Sequence, residues 1–570
     1  MSDLLHLVMR HMRAPMLCLL FVYGVSVGGL TLMPGMDPDG TPSKLSFFHA
    51  FYVMSYTATT IGFGEVPHPF TDAQRLWVII SIYLSVIGWT YALGSVFTLI
   101  NDKTFGATVA RTIFAWRVRG LSEPFFIIAG AGQSATALAQ ALDRIGNRTV
   151  ILDPAEDRTS RIELVEFANP PMVLCEDARL PNVLVDAGIQ NANCLGLMAL
   201  AGDDTANQAI AIGARTLNPD LRVVARVKSH VAQVNLGSFG GVSVINPFDT
   251  FATNVALDLA APEVLRLEEW LTDAPGSACP ERVNIPTGPW VLVGFGRFGH
   301  ALSRVLDQAG IKWKAIDSVI GDDGDERLLV GDNSEGQLRE AGIERAAVVV
   351  AGTDSDATNL GVVTLARRIN PGLFVVIRQN HVADQVLIET ARADLRFVQA
   401  DLVVHETLQI IKTPMLGRFI SQVRAQGGAF ASKTIELIQD NVGSGAPRAW
   451  KFTCDIMQPG MFGAFFQGQG DRLAISHLLR HPSRADQMIN AAALMLDRRG
   501  EQTLLPGPDV ELKPGDHILF VGSEEAMRVQ QEYLRDPRAL QFVRTGAEEP
   551  RAWIFRQINR WMKKAPDAAS

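Results

Sequence analysis

The chain has 570 residues, 47% of them hydrophobic, with 52 Lys and Arg against 60 Asp and Glu and a formal net charge of −8. That length accommodates several domains of ~100–200 residues, and the acidic balance excludes nucleic acid as the main partner, because affinity there comes from neutralising phosphates. Five scattered cysteines (Cys18, Cys175, Cys194, Cys279 and Cys454) lack CxxC spacing, which excludes a disulfide framework and a zinc site and points to a reducing interior for most of the chain.

Residues 16–36 and 76–100 carry no charge, and each run reaches the ~20 apolar residues needed to cross a bilayer as a helix. Spans are expected at about 14–36 and 74–100. Arg10, His11 and Arg13 precede the first run, and Lys103, Arg111, Arg117 and Arg119 follow the second. The segment between holds Asp37, Asp39, Glu65 and Asp72 against Lys44 and Arg75. The positive-inside rule therefore puts both termini in the cytoplasm. A cleaved signal peptide is the alternative for the first run, but the run is long for one and a second span follows. No comparable uncharged run follows residue 120, so the remainder reads as soluble.

Between the spans, residues 45–58 are apolar and aromatic but too short to cross, the length of a re-entrant helix. The loop Thr59-Thr-Ile-Gly-Phe-Gly-Glu65 follows. Non-helical backbone at membrane depth survives only where protein buries it or it lines a watery path. Glycine permits positive φ, so carbonyls can be turned together to replace the hydration shell of a potassium ion. A glycine turn in a helix bundle is the other reading.

Thr60-Ile61-Gly62-Phe63-Gly64 resembles the potassium-channel selectivity filter, usually written T-V-G-Y-G. The resemblance implies that K+ is held by the carbonyls of Thr60, Ile61, Gly62 and Phe63 with the Thr60 hydroxyl. It also implies four chains around one axis, and Glu65 stands where the family usually has Asp. A hinge glycine often lies about 20 residues beyond the filter in that family. Here Gly88 and Gly94 lie 24 and 30 beyond Gly64, and Ser85 is nearer. Gly88 is either a pore bend or a close-packing residue.

The soluble part is a repeat. An apolar strand runs into Gly130-Ala-Gly132-Gln-Ser-Ala135, and the next strand ends in Asp153. The same pattern returns 164 positions later as Gly294-Phe-Gly296-Arg297-Phe-Gly299 and Asp317. Strand, glycine motif, helix and distant acid together form the dinucleotide fingerprint. Asn207, Asn218 and Arg226 return 152 positions later as Asn359, Asn370 and Arg378. Apolar strands alternate with helical segments, so each unit is a parallel, doubly wound sheet. The glycines let backbone N–H groups and a helix N-terminus approach a pyrophosphate. Asp153 and Asp317 can accept ribose hydroxyls, favouring NAD or an adenine nucleotide over NADP, and Arg297 can reach a phosphate. Rossmann folds that hold only structure are the alternative. Arg226 and Arg378 are phosphate contacts or structural strand-end residues. His230 and His381 read as surface-turn residues.

These units resemble RCK domains, also called KTN or TrkA-N domains, which regulate potassium channels and transporters. Asp177 in "CEDA" and Asp332 in "VGDN" fall where that family has a third-strand Gly-Asp. The first unit departs from the pattern at Ala135 and Glu176. The segment "ELKPGDHILFVGSEEAM" resembles the TrkA-C lobe. From about residue 14 to about 530, the chain resembles two-transmembrane potassium channels with tandem RCK domains, similar to multi-ligand-gated prokaryotic ones.

The implied fold is an α-helical membrane pore (two spans plus a re-entrant pore helix), then two α/β Rossmann-like doubly wound domains and a C-terminal α+β lobe. The implied division is a pore domain over 1–100 (pore helix 45–58, filter 59–65), a gating linker over 101–123 and a first RCK domain over 124–285. A second RCK lobe with its following helices covers 286–435, a TrkA-C-like lobe 436–535 and a basic amphipathic tail 536–570. The implied function is not enzymatic: a homotetrameric potassium channel of a prokaryotic inner membrane, its eight cytoplasmic RCK units gated by NAD or an ADP- or ATP-type nucleotide, with membrane lipid as a further partner.

Asp322, Asp323 and Asp325 cluster around a glycine in a way compatible with weak Ca2+ binding, although a solvated acidic turn explains them as well. The tail either lies on anionic lipid or packs on the soluble assembly. Rival functions are a membrane-tethered NAD-dependent oxidoreductase, for which no catalytic constellation stands beside either fingerprint, and a transporter subunit, which usually carries several pore loops.

Overall fold

The computed structural model describes residues 2–273, 275–281, 283–319, 325–412, 414–454, 472–482, 484–535 and 542–543. The tail beyond these, and Asp322 and Asp323, lie outside the described residues.

Helix α1 (Ser2–Leu32) contains an apolar stretch, Val8–Leu32, long enough to cross a membrane. It stops at Leu32, short of the expected 36, because Pro34 disfavours helix at its approach and Pro34–Met36 pairs instead as strand β1 with β2 (Pro42–Lys44). Ser46 caps helix α2 (Phe47–Ala58), its hydroxyl accepting the His49 N–H. Thr71 and Gln74 form a capping box at the start of α3 (Asp72–Ile100), the second membrane-length helix. Ala50, Val53, Met54 and Tyr56 of α2 are buried against Val27, Leu30 and Phe70. The Trp77 indole donates to the Ser26 carbonyl at 2.9 Å, tying α3 to α1. Leu20, Phe21, Tyr83 and Ile87 are exposed on the outer faces of both helices, the surface a helix presents to lipid.

Helix α4 (Lys103–Arg119) follows almost directly, capped by Asp102. Its Phe114 and Val118 are buried in the core of the first Rossmann unit, and Arg111 pairs with Asp186 at 2.7 Å.

The first unit comprises β3 (Phe125–Ala129), α5 (Gln133–Arg144), β4 (Arg148–Leu152), α6 (Glu156–Glu163), β5 (Met172–Leu174), α7 (Pro181–Asp186), β6 (Cys194–Ala199), α8 (Asp204–Leu217), β7 (Arg222–Arg226), α9 (His230–Ser238) and β8 (Val242–Ile245). Helices α10 (Pro247–Ala260) and α11 (Pro262–Thr272) lead out of it. The second unit comprises β9 (Trp290–Val293), α12 (Arg297–Gln308), β10 (Trp313–Asp317), β11 (Leu328–Val330), α13 (Glu335–Glu340), β12 (Val348–Ala351), α14 (Asp356–Ile369), β13 (Phe374–Gln379), α15 (Gln385–Thr390) and β14 (Leu395–Val398). Both sheets are parallel with strand order 3-2-1-4-5-6, β5-β4-β3-β6-β7-β8 and β11-β10-β9-β12-β13-β14.

The units exchange helices. Phe248, Phe251, Ala252 and Val255 of α10 pack on Trp290, Leu292 and Phe298 of the second unit rather than on their own sheet. Helix α16 (Gln399–Lys412), which leaves the second sheet, returns to the first, where Val403 joins Phe126, Ile128 and Leu138. The two sheets are thereby locked to each other through reciprocal apolar faces.

Helices α17 (Pro414–Gln426) and α18 (Gly428–Asn441) then pack on an antiparallel sheet ordered β15-β20-β18-β19. Its strands are β15 (Arg448–Thr453), β18 (Ala491–Arg498), β19 (Glu501–Leu504) and β20 (His517–Gly522), and a small ribbon of β16 (Arg480–His481) and β17 (Arg484–Met488) stands beside it. Val264, Leu267 and Trp270 of α11 are buried in this lobe's core.

Candidate functional site

Two kinds of site lie on this framework. In the loop between α2 and α3, φ is 61° at Thr60, 64° at Gly62 and 91° at Gly64, with Ile61 and Phe63 between them outside the left-handed region. Alternation of this kind turns successive carbonyls to one side. Left-handed backbone is natural for the glycines but strained for a β-branched threonine. The surroundings hold the loop. Phe63 packs on Tyr52 and Tyr56 with ring centroids 6.4 and 5.6 Å apart, and the Tyr56 hydroxyl donates to the Gly64 carbonyl. The Glu65 carboxylate accepts the Phe70 N–H at 2.8 Å and two Arg75 bonds at 2.7 and 3.1 Å, fixing the loop's exit to the start of α3. Gly88 is buried within an uninterrupted α3, and a β-carbon there would lie 3.5–3.7 Å from Leu19 and Val22. This is close packing against α1.

The second kind of site opens at the carboxyl ends of both parallel sheets, where ligands of this architecture bind. The three motif positions do different work. Gly130 and Gly294 have φ of 119° and 96°, and a β-carbon on either would come within 2.8–2.9 Å of the neighbouring strand's backbone at Leu200 or Gly352. Gly132 and Gly296 start α5 and α12, and a β-carbon there would meet nothing within 4 Å. That open space is where a phosphate can approach backbone N–H groups at a helix N-terminus. At the third position Gly299 is tight, 2.5 Å from the Gly294 carbonyl, whereas the first unit accommodates a fully buried Ala135.

The two acids differ. Asp153 is 1% exposed, and its carboxylate is occupied by the N–H groups of Ala131 (2.8 Å) and Ala155 (2.9 Å) and by Arg158 at 3.3 Å. Asp317 is half-buried and takes the Phe295 (2.6 Å) and Val319 (3.0 Å) N–H groups, with no arginine bonded to it among the described residues. Asp177 binds Arg179 at 2.6–3.0 Å, and Asp332 is exposed and caps the turn at Ser334. Asp325 is held by Arg327 at 2.7–3.1 Å, which keeps its carboxyl below the usual range.

Arg226 is buried, donating to the Leu200 and Ala201 carbonyls and the Ser134 hydroxyl, and its Nε has no partner among the described residues. Arg378 makes the equivalent bond to the Gly352 carbonyl at 3.3 Å and lies over the Phe248 ring of α10. Lys228 was not apparent from the sequence as a site residue. Burial holds its ammonium below the ordinary range, and Arg226, Arg297 and Arg378 add repulsion. Positive charge of both units therefore acts on Lys228, and Arg378 of the second unit stands against α10 of the first. Arg304 and Asp249 bridge the units at 2.5 Å. His230 and His381 are exposed beside Asp249 and Asp356, at 3.3 Å each.

Comparison with known proteins follows the same division. Residues 16–102 match the family model described as an ion channel, and residues 126–247 and 290–399 each match that of the TrkA-N domain. An uncharacterised protein of Methanothermus fervidus is 28% identical over 263 residues, 45% of this chain and 37% of that protein. Potassium channel protein 1 of Methanocaldococcus jannaschii is 26% identical over 223 residues, 38% of this chain and 64% of that protein. The voltage-gated potassium channel Kch of Escherichia coli K12 is 28% identical over 206 residues, 35% of this chain and 45% of that protein. The chain thus spans between 37% and 64% of the length of these curated relatives. Among solved structures, the GsuK channel aligns over 94% of this chain and 100% of its own at a TM-score of 0.44 and 16% identity, and its NAD-bound form at 0.43 and 16%.

Proposed function

We propose that this chain, an ion-channel module joined to two TrkA-N domains, is one of four identical subunits of a potassium-selective channel gated by NAD or an adenine nucleotide. The observation that carries the reading is the loop at residues 60–64, with its alternating backbone, in one chain with two TrkA-N glycine loops. Potassium is the ion in the names of two of the relatives.

In this reading the carbonyls of Thr60, Ile61, Gly62 and Phe63 replace the water shell of the ion. The membrane is a prokaryotic inner membrane, and both termini and the eight RCK units lie in the cytoplasm. An open hollow of about 530 Å³, lined by Val53, Thr57, Gly62, Phe70 and Ile79, lies behind the loop and suits the side of a neighbouring subunit.

Nucleotide phosphates would enter at Gly132 and Gly296. There Arg226, Lys228, Arg297 and Arg378 supply a positive field, and the ribose would meet Asp317 more readily than Asp153. Asp177 and Asp332 would supply further acceptors after the third strand of each sheet. Phosphate bound beside these cations would offset their mutual repulsion. Helix α4 carries any resulting movement of the first unit to α3, because Phe114 and Val118 anchor it in the first unit's core. Moving a pore from 1% to 99% open takes ~5.5 kcal/mol of differential binding, roughly 0.7 kcal/mol for each of eight sites.

The test is potassium flux in liposomes with and without NAD, ADP and ATP. Flux indifferent to all of them sinks the gating. Flux that does not distinguish potassium from sodium sinks the filter assignment. Hydride turnover by the purified protein would revive the oxidoreductase.

A further inference from the structure

The loop after α2 divides its carbonyls into two classes. Among the described residues, no hydrogen bond reaches the carbonyls of Thr60, Ile61, Gly62 or Phe63. The next one, that of Gly64, accepts a bond from the Tyr56 hydroxyl. Residues 60–64 are exposed on the single chain, so the four free carbonyls are open to a partner from outside it. The fifth is taken by the protein itself.

Tyr56 makes that division from within α2. It is buried, with its ring 5.6 Å from Phe63 at an interplanar angle of 75° and 5.4 Å from Tyr52 at 78°. Its backbone carbonyl accepts the N–H groups of Ile61 (2.9 Å) and Gly62 (3.3 Å), so the first half of the loop is tied to the helix through its donors. Its hydroxyl ties the far end through an acceptor, the Gly64 carbonyl. One residue therefore holds both ends, and the group it takes changes from donor to acceptor between them. A carbonyl aimed at a buried hydroxyl of the chain's own α2 points into the chain, away from the exposed side.

The neighbouring side chains agree with this division. Glu65 is turned to the Phe70 N–H and to Arg75, so the chain beyond Gly64 also faces its own helices. Phe63 has no polar atom on its ring and offers the Tyr56 hydroxyl no rival partner. At the other end, the Thr59 hydroxyl donates back to the Ser55 carbonyl at 2.8 Å. The Thr60 hydroxyl has no partner among the described residues and joins the four free carbonyls as an open oxygen.

We propose that Tyr56 is a positioning residue that ends the ion path at Phe63, because its hydroxyl withdraws the Gly64 carbonyl into the wall. This deepens the channel reading above and rests on it. A carbonyl-lined path selects its ion by cavity size or by the number and field of its dipoles, and Tyr56 fixes the number. With Gly64 tied to α2, the peptide between Phe63 and Gly64 is held at its far side, and the Phe63 carbonyl keeps its aim. Without the hydroxyl, the permissive backbone of Gly64 can turn its carbonyl into the path. That adds a fifth level of oxygen and loosens the one beneath it.

The direct test reads the carbonyls of the full chain in lipid by solid-state nuclear magnetic resonance. Carbonyl-13C glycine combined with 15N phenylalanine selects the Gly-Phe pairs at 62–63 and 294–295, and combined with 15N glutamate it selects the Gly-Glu pairs at 64–65 and 500–501. Gly294 and Gly500 lie in the soluble part and serve as references. Replacing potassium with sodium should move the Gly62 carbonyl resonance and leave that of Gly64 in place. In Y56F, which keeps the ring and removes only the hydroxyl, the Gly64 resonance should move as well. A Gly64 resonance that moves as far as that of Gly62 in wild type overturns the proposal, as does one that stays fixed in Y56F. If neither glycine responds in any form, the filter reading itself fails and the proposal falls with it.

A functional arm measures the reversal potential between potassium and sodium across bilayers holding the full chain, with NAD or ADP present. Y56F should lower the potassium-to-sodium permeability ratio about tenfold, the scale of one hydrogen bond lost in each subunit, while nucleotide titration stays at wild type. Y23F removes a hydroxyl bonded to Ser55, next to Tyr56 but not bonded to the loop, and should keep the wild-type ratio. A wild-type ratio in Y56F overturns the proposal, as does an equal fall in Y23F. If Y56F does not assemble, the wild-type carbonyl comparison decides. Equal passage of potassium and sodium in every protein, wild type included, defeats the filter reading and the proposal together.

Discussion

Asn207 and Asn359, 152 positions apart, make the same three hydrogen bonds. The Asn207 carboxamide accepts from the Ala201 N–H (2.7 Å) and donates to the Ala201 (2.9 Å) and Arg226 (2.8 Å) carbonyls. Asn359 does so with Thr353 (2.9 and 3.1 Å) and Arg378 (2.9 Å). Each clips the fourth strand of its sheet to the fifth, beside the glycine loop. Asn207→Leu leaves the Ala201 N–H and the Arg226 carbonyl without this partner, the Ala201 carbonyl keeping its Arg226 bond. Asn359→Leu does the same to the Thr353 N–H and the Arg378 carbonyl, the Thr353 carbonyl keeping Asn380, and each should destabilise its own unit by about 2–4 kcal/mol. Amide exchange should show lost protection at the ends of β6 and β7 in the first variant and of β12 and β13 in the second.

The glycine positions separate folding from binding. Gly294→Ala places a β-carbon 2.9 Å from the Gly352 backbone at a φ of 96°, and should cost about 2 kcal/mol or more of stability. Gly296→Val extends into open cleft. It should leave melting nearly unchanged while weakening nucleotide binding at least tenfold, about 1.4 kcal/mol by calorimetric titration.

Asp317→Asn should weaken NAD or ADP binding about tenfold, because it removes a hydrogen-bond acceptor the ribose can reach. Asp153→Asn should act mainly on stability, because it disrupts bonds to Ala131, Ala155 and Arg158. Equal loss of affinity in both variants would contradict the asymmetry of the clefts.

Gly62→Val puts a β-branched residue at a φ of 64°. Selective potassium flux should vanish, while nucleotide titration of the same protein stays at wild type.

Arg424→Met strands Glu268 without the guanidinium bonded to it at 2.7–3.0 Å. Burial already raises the Glu268 carboxyl against Arg424's opposition, so the loss should be about 3–5 kcal/mol near pH 8. It should shrink as pH falls toward 5 and the carboxyl takes a proton. Melting midpoints of wild type and variant at the two pH values check the sign.

The glycine-punctuated loop between α2 and α3, both glycine motifs and the repeat were legible because each is carried by neighbouring residues. Runs without charge, a glycine at every second position and an acid at the end of the following strand are local patterns. The first span's end was misplaced by four residues because hydrophobicity continues through Met33 and Met36, whereas Pro34 and the β1–β2 pairing stop the helix. Lys228 was not singled out because nothing around it in sequence marks it. It becomes conspicuous only beside Arg297 and Arg378.

The sequence by itself determined which segments are helix, strand and loop, and which chemistry each loop carries, since backbone freedom and apolar periodicity are properties of short stretches. Only the tertiary structure decided what faces what. Helices α10 and α16 change places, and Asp153 is closed while Asp317 stays open. Those outcomes depend on burying apolar faces from distant parts of the chain against each other, and a local pattern holds no record of which distant face wins.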